Sequence, residues 1–298
     1  MESAHTLIHD KAIWCVKFSP DGRHLVTACN DGKARIYDVK TGSIVRQVFP
    51  SLFLRNTTDT VYSVLTDLLT KDPWIRSLCF SPDGNYLATG SNDSLIRVRF
   101  SFLFSCVLIN SSLQVWKVAT KYVKNAFKGH KKRITSLEFS SNGKTLISAS
   151  RDNSVRLWNM HDGAVKVFTY EGSDLDTESS FYSATLSPNG MHIAAGHSDG
   201  AIRIWDLLTG KLVQKLVAHS PWVACVAFMP DGKGLVSGGR DASMKYWDLS
   251  PLEIFRPNEK RSRWVQRNSG FGDEIQPRVT QEFSGHTVRV FSVARSLQ

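Results

Sequence analysis

The chain repeats itself, and the repeat leaves few folds open to it. Five stretches align without a gap on a single glycine: "FSPDGRHLVTACNDGKARIYDV", "FSPDGNYLATGSNDSLIRV", "FSSNGKTLISASRDNSVRLWNM", "LSPNGMHIAAGHSDGAIRIWDL" and "FMPDGKGLVSGGRDASMKYWDL". The anchors are Gly22, Gly84, Gly143, Gly190 and Gly232. Nine residues after each stands an acid: Asp31, Asp93, Asp152, Asp199 and Asp241. Fifteen after, four units carry an aromatic (Tyr37, Trp158, Trp205, Trp247) and the second carries Arg99. A repeat of this kind is one supersecondary unit that buries its apolar surface only against its neighbours.

Each unit reads as three short strands and a weaker fourth. The first alternates, as in "ITSLEFS". "PDG" or "NG" supplies a turn with positive φ at its last residue. A second strand ("TLISAS"), a turn at the Asp and a third strand ("SVRLWNM") follow, and "AVKVFTY" or "KLVQKLV" is the fourth. Four strands in about 40–45 residues make a blade of a β-propeller. The fold class expected is all-β: five complete four-stranded blades and the start of a sixth at "FSGHTVRVFSVA", truncated from a seven-bladed propeller. A sixth blade of one strand would leave open edges. The units run about 9–47, 72–126, 127–170, 178–217 and 218–250, with a partial one at 283–298. Residues 48–71 and 249–282 read as long loops.

The second unit breaks the register. Residues 94–118 read "SLIRVRFSFLFSCVLINSSLQVWKV", and Trp116 stands 17 residues beyond the place of the aromatic. Removing 98–114 restores "SLIRVWKVATKYV". The apolar part is about half of the roughly 20 residues a membrane helix needs. Seventeen codons keep the reading frame, Val98 has a codon beginning GT, and Gln114 is encoded by CAG in one of its two forms. The reading preferred is a retained intron, a segment that would bulge from the blade if translated.

These units resemble WD40 repeats over about residues 9–294. "IWDL", "YWDL" and "LWNM" stand where the family has Trp-Asp, and "GH" appears at 129–130 and 285–286. The resemblance implies a buried hydrogen-bonded set in each blade: His130, Ser148, Asp152 and Trp158 in the third unit, His219, Ser237, Asp241 and Trp247 in the fifth. The first unit offers His9, Thr27, Asp31 and Tyr37. The second has Lys71 in place of the His, and the fourth has Thr177 and Ala195 in place of His and Ser/Thr. Ser, His and Asp together suggest a hydrolase, but a catalytic triad is needed once, at one exposed place. Here the set recurs at fixed spacing, and it suits a buried acid that needs donors.

No Gly-rich phosphate loop, CxxC pair or HExxH occurs. The chain therefore reads as non-enzymatic, with no catalytic residue, metal or cofactor. His5, His24, His161, His192 and His197 read as surface residues. Five cysteines without paired spacing do not make a disulfide framework and fit a reducing compartment. "MESAHTLIHD" lacks the features of a signal peptide.

In a propeller the centre-facing loops present a ring of variable residues. Eight residues before the anchors stand Trp14, Arg76, Thr135, Tyr182 and Ala224; just before the turn acids stand Asn30, Asn92, Arg151, Ser198 and Arg240. Trp74, Arg133 and Trp222 stand ten before an anchor. Aromatic and Arg residues of this kind anchor interfaces, so this ring is the candidate partner-binding site. The formal net charge is +10, and seven basic residues without an acid lie between Lys117 and Arg133. That run reads as an outer strand guarded by Lys against edge pairing. Without interleaved aromatics it does not point to direct nucleic-acid binding.

Among WD40 proteins the chain most resembles the C-terminal propeller of the fungal Tup-type, Groucho-like transcriptional corepressors. The features that carry this are "CVKFSPDGRHLVTACNDGKARIYDV", the long loop to "WIRSLCFSPDGNYLATGSNDSLIRV", "GHKKRITSLEFSSNGKTLISASRDNSVRLWNM", and the polar spacer before "FSGHTVRVFSVA". The resemblance implies a nuclear scaffold without a membrane segment that binds repressor peptides, histone tails and a TPR-type corepressor subunit. Residues 1–8 leave no room for that family's N-terminal oligomerising helix. "KRSR" at 260–263 is a short basic patch of the nuclear-import kind. A generic WD40 scaffold in ubiquitin ligation, signalling or RNA processing is the alternative.

Overall fold

The computed structural model describes residues 6–48, 74–94, 96–100, 123–170, 179–250 and 279–283. They form five four-stranded antiparallel sheets, each running in chain order. Sheet one holds β1 (Ile13–Phe18), β2 (His24–Cys29), β3 (Ala34–Asp38) and β4 (Ile44–Val48). Sheet two holds β5 (Ile75–Phe80), β6 (Tyr86–Ser91), β7 (Ile96–Phe100) and β8 (Val123–Phe127). Sheet three holds β9 (Ile134–Phe139), β10 (Thr145–Ser150), β11 (Ser154–Asn159) and β12 (Val165–Thr169). β13 (Phe181–Leu186), β14 (His192–His197), β15 (Ala201–Asp206) and β16 (Leu212–Val217) make the fourth. β17 (Val223–Phe228), β18 (Gly234–Gly239), β19 (Met244–Asp248) and β20 (Val279–Phe283) make the fifth. These are blades of the β-propeller type. They fall into two compact units, residues 1–169 with three blades and 170–298 with two. No helix of the described residues is long and apolar enough to cross a membrane.

The five anchors sit in the left-handed region at φ 66–71°, where only glycine is free of a Cβ penalty. In four blades a Ser before the turn hydrogen-bonds the acid or amide two residues on, fixing its shape (Ser19–Asp21, Ser81–Asp83, Ser140–Asn142, Ser187–Asn189). The register then repeats. Leu25 pairs with Tyr37, Leu146 with Trp158, Ile193 with Trp205 and Leu235 with Trp247. In blade two Leu87 pairs with Arg99, so the arginine occupies the aromatic's place in the ladder.

Two boundaries differ from the sequence reading. β7 continues through Val98, Arg99 and Phe100 and pairs with β8. The segment expected as an insertion at 98–114 thus begins inside a strand, because Arg99 and Phe100 keep the ladder going. The rest of it, with Trp116, lies outside the described residues. In blade five the fourth strand is Val279–Phe283, drawn from the far end of the stretch expected as a loop at 249–282. It pairs with β19 from Met244↔Phe283 to Trp247↔Val279. Phe283, read as the start of a sixth unit, closes the fifth. Residues 284–298 lie outside the described residues.

Within each unit the blades bury their faces on one another. Ile75, Leu78 and Leu87 of blade two meet Val26, Ala28 and Ile36 of blade one. Ile134, Leu137 and Phe139 of blade three meet Cys79 and Ala88 of blade two. Val223, Val226 and Phe228 of blade five meet Ala194, Ile202 and Ile204 of blade four. The approach is close. A Cβ on Gly90 would lie 2.6 Å from Ile134 Cγ2, and one on Gly196 would lie 2.6 Å from Val223 Cγ1. Polar stitches cross the same seams: Leu137 N donates to Ser77 Oγ at 2.9 Å and Val226 N to Ser183 Oγ at 3.2 Å. β1 is different, with Val16 47% and Phe18 62% exposed while Phe139 and Phe228 at the matching position are 6% and 0%.

Candidate functional site

The candidate ring residues share one structural cause. In every blade the pairing of first and second strands slips by one residue near its start: between Ile13 and Cys15, Ile75 and Ser77, Phe181 and Ser183, and Val223 and Cys225. In blade three the slip skips Thr135. The positions that the register skips are Trp14, Arg76, Thr135, Tyr182 and Ala224, those eight before each anchor. A β-bulge re-aims the side chain it carries. Just beyond it the amide of the residue before the turn acid binds back: Asn30 to Ala12 O at 2.8 Å, Asn92 to Trp74 O at 3.1 Å, Arg151 to Arg133 O at 3.1 Å, Ser198 to Ser180 O at 2.9 Å, and Arg240 to Trp222 O at 3.2 Å. The three predicted positions of each unit are thereby brought to one end of its sheet.

In the first unit they interlock. Arg76 lies 3.8 Å over the Trp14 ring and 5.2 Å from the Trp74 ring. Its Nε donates to Asn92 Oδ1 at 3.1 Å, and Trp14 Nε1 donates to Asn30 Oδ1 at 3.0 Å. Burial, and then the charges of Arg133 and Arg151, lower the Arg76 pKa to about 10. In the second unit Tyr182 stacks on Trp222 with ring centres 5.6 Å apart, and Arg240 lies 4.1 Å over Trp222. All eleven candidates are exposed or half-buried. Flat indoles carrying guanidinium groups are rigid, partly desolvated anchors of the kind that dominate interfaces.

Below this end lie the hydrogen-bonded sets. In blade three Trp158 Nε1 donates to Ser148 Oγ at 2.8 Å, Ser148 Oγ meets His130 Nε2 at 2.7 Å, and His130 Nδ1 meets Asp152 at 2.9 Å. Blade five repeats the chain with Trp247, Ser237, His219 and Asp241 at 2.9, 2.8 and 2.9 Å. In both sets the indole donates to the hydroxyl. In blade five, where burial lowers the imidazole, a neutral His219 accepts from the hydroxyl and its Nδ1–H donates to the carboxylate. Burial alone would raise the Asp152 carboxyl, but bonds from His130, Ser154 and the Lys131 amide hold it well below its usual range. Burial lowers the His219 imidazole despite Asp241.

Blades one and four, which lack the full set, solve the same problem with a residue that sequence reasoning passed over. Four residues after every turn acid stands a base: Arg35, Arg97, Arg156, Arg203 and Lys245. In blade four Arg203 is fully buried and grips Asp199 with both terminal nitrogens at 3.1 and 2.6 Å. Tyr170 covers its guanidinium at 3.6 Å, and His197 Nδ1 lies 2.9 Å from Asp199. In blade one Arg35 binds Asp31, while His9 meets the Tyr37 hydroxyl at 3.2 Å. Where His takes the acid, as in blade three, Arg156 turns over Trp158 at 5.8 Å. The fixed spacing of acid and base was the signal available in the sequence.

The scattered histidines require correction. His24, His192 and His197 are 2%, 0% and 2% exposed, not surface residues. All three lie on the second strand of a four-stranded sheet, β2 or β14, whose side chains are mostly buried. Among the described residues no group of three or more His, Cys, Asp or Glu is arranged to hold a metal ion. Of the basic run, Lys128, Lys131 and Lys132 are exposed.

The family model for the WD domain, G-beta repeat, matches residues 1–38, 59–99, 121–159, 164–206 and 210–248, leaving 100–120 between two matches. The chain is 38% identical over 141 residues to transcriptional repressor rco-1 of Neurospora crassa, covering 46% of this chain and 18% of that protein. It is 24% identical over 223 residues to autophagy-related protein 16 of Arabidopsis thaliana, covering 74% of this chain and 35% of the relative. It is 27% identical over 214 residues to COMPASS component SWD3 of Saccharomyces cerevisiae, covering 70% and 53%. The match thus spans between about a fifth and a half of these relatives' length.

Proposed function

The chain belongs to the WD40 family of G-beta repeats, a scaffold fold that binds other proteins, and on that premise we propose that it is the propeller of a nuclear transcriptional corepressor. On this reading the bulge-bearing ends of its sheets dock DNA-bound repressors, histone tails and a TPR-type corepressor subunit, and no chemistry is performed there. One observation carries the docking surface: five one-residue bulges project Trp14, Arg76, Thr135, Tyr182 and Ala224 from the same end of each sheet. The 38% identity to the transcriptional repressor rco-1 supports the choice of process.

A second reading, a scaffold subunit of another complex, draws support from the longer matches to autophagy-related protein 16 and to COMPASS component SWD3. Affinity capture from fungal nuclear extract separates the two. The full chain should recover repressors and histones, and the combined variant Trp14→Ala, Arg76→Ala, Arg240→Ala should lose them at an unchanged melting temperature. Recovery of ligase or spliceosome subunits in their place selects the second reading. Capture that the combined variant leaves untouched defeats the docking surface itself.

A further inference from the structure

A seam between two blades has two halves. In the second unit the base is Val223, Val226 and Phe228 of blade five, and the cover is Ala194, Ile202 and Ile204 of blade four. All six are buried. The same positions recur in each repeat, counted from its anchor. In blade one the base is Ile13, Val16 and Phe18, and all three are exposed. In blade five the cover is Val236, Met244 and Tyr246, and all three are half-buried. Their counterparts in blade one, Val26, Ala34 and Ile36, are buried against blade two. The described residues thus present an open base and an open cover of the same kind of seam.

The turns at the foot of the two faces match as well. In the described seams a proline of one turn lies against the anchor glycine of the next blade. Pro20 Cδ is 3.9 Å from a Cβ placed on Gly84, Pro82 Cδ 3.6 Å from one on Gly143, and Pro188 Cδ 3.7 Å from one on Gly232. Among the described residues nothing lies within 4 Å of the same point on Gly22. Pro230 holds the proline position in blade five. Beside this contact the two turns carry opposite charges, Asp231 before the anchor of blade five and Arg23 after the anchor of blade one, both exposed. A cavity of about 410 Å³, lined by Tyr246, Asp231 and Gln281 among others, opens beside the blade-five cover. It gives room to a ring that projects as far as Phe18 does.

We propose that a second copy of this chain seats its blade-five cover on the blade-one base, head to tail, and so continues between molecules the seam that joins blades four and five within one. Apolar burial drives the contact, and the Asp231–Arg23 pair sets its register. A single blade seam is small for an interface, so the association is of the weak class. At the dilution of a stability measurement the copies are apart and β1 is a surface strand. The contact uses other residues than the docking surface proposed above, so either can fail without the other.

The test is the mass of the full chain in solution by sedimentation equilibrium, from about 1 to about 300 μM. The mean mass should rise with concentration from one chain to two or more. Phe18→Glu spoils the base and Met244→Glu the cover, and each variant alone should associate at least about thirtyfold more weakly. An equal mixture of the two should associate again and stop at two chains, because each supplies the half that the other lacks. Arg23→Glu and Asp231→Lys, at exposed turn positions, should each weaken association about threefold, and both together in one chain should restore it. A single-chain mass across the whole range overturns the proposal, whether the faces are then covered within one molecule or by another protein. Undiminished association of Phe18→Glu also overturns it, by placing the contact elsewhere. So does a mixture of folded variants that stays at the mass of one chain. Should Met244→Glu not fold, the charge reversal decides: without restored association in the double variant, the pairing of cover with base falls.

Discussion

At the scale of the residue, the hydroxyl of Ser237 does the work of two groups. It is fully buried, accepts from Trp247 Nε1 and meets His219 Nε2. Removing it strands an indole N–H and an imidazole nitrogen out of reach of water. An unsatisfied buried polar group costs about 1–3 kcal/mol. Ser237→Ala should therefore lower the unfolding free energy by about that much, measured by denaturant titration. Ser148→Ala should match it, since Ser148 is equally buried and makes the same two bonds. A hydrolytic role for one of these serines would instead appear as activity lost in one variant and kept in the other. The two sets were legible because four residue types recur at constant spacing. The Arg203–Asp199 pair was not, because a buried arginine is invisible until its cover, here Tyr170, is known.

At the scale of the element, the strands were read from alternation, and alternation says nothing about what lies across the sheet. "IWCVKF" and "VACVAF" have the same pattern, yet β1 is largely exposed and β17 is buried. The difference comes from the neighbouring blade: blade four lies on β17, whereas most of β1 remains open among the described residues. Phe18 and Phe228 occupy the same place in the repeat at 62% and 0% exposure. Phe228→Ala should cost about 3–5 kcal/mol, as a large cavity in a packed seam does. Phe18→Ala should cost no more than about 0.5 kcal/mol, the scale of surface changes. Equal costs in the two variants would mean that β1 is covered in solution. The bulges escaped sequence reading for a related reason. One extra residue in a six-residue strand leaves the apolar pattern intact and changes only where a single side chain points. β20 escaped because a long polar stretch separates it from β19, and strand pairing at that distance leaves no local signature.

At the scale of the whole molecule, the period of glycine, acid and aromatic made the fold class legible, since only stacked identical units use such a period. The same period multiplies one titration across the protein. Asp31, Asp152, Asp199 and Asp241 all face burial that would raise them, and hydrogen bonds from their own sets hold them below the usual carboxylate range. Burial holds His9 and His219 below 6.5. Both kinds of group have a folded pKa depressed relative to the unfolded chain. In both cases the unfolded state binds protons more readily, so stability rises with pH through the interval between the two values. The contribution of the histidines is complete above about pH 6.5 and fades below it. The contribution of the carboxylates is complete above about pH 4 and fades below it. The melting temperature should be level from about pH 8 to 7, fall gently between about 6.5 and 5, and fall steeply below about 4. His219→Gln should flatten the gentle limb and leave the steep one, because the carboxylates of blades one, three and four keep their partners. Scanning calorimetry from acid to neutral pH reads both limbs. A melting temperature that rises on acidification from pH 7 to 5 would mean that His219 is cationic in the folded protein and that its Nε2–H donates to the Ser237 hydroxyl instead of accepting from it.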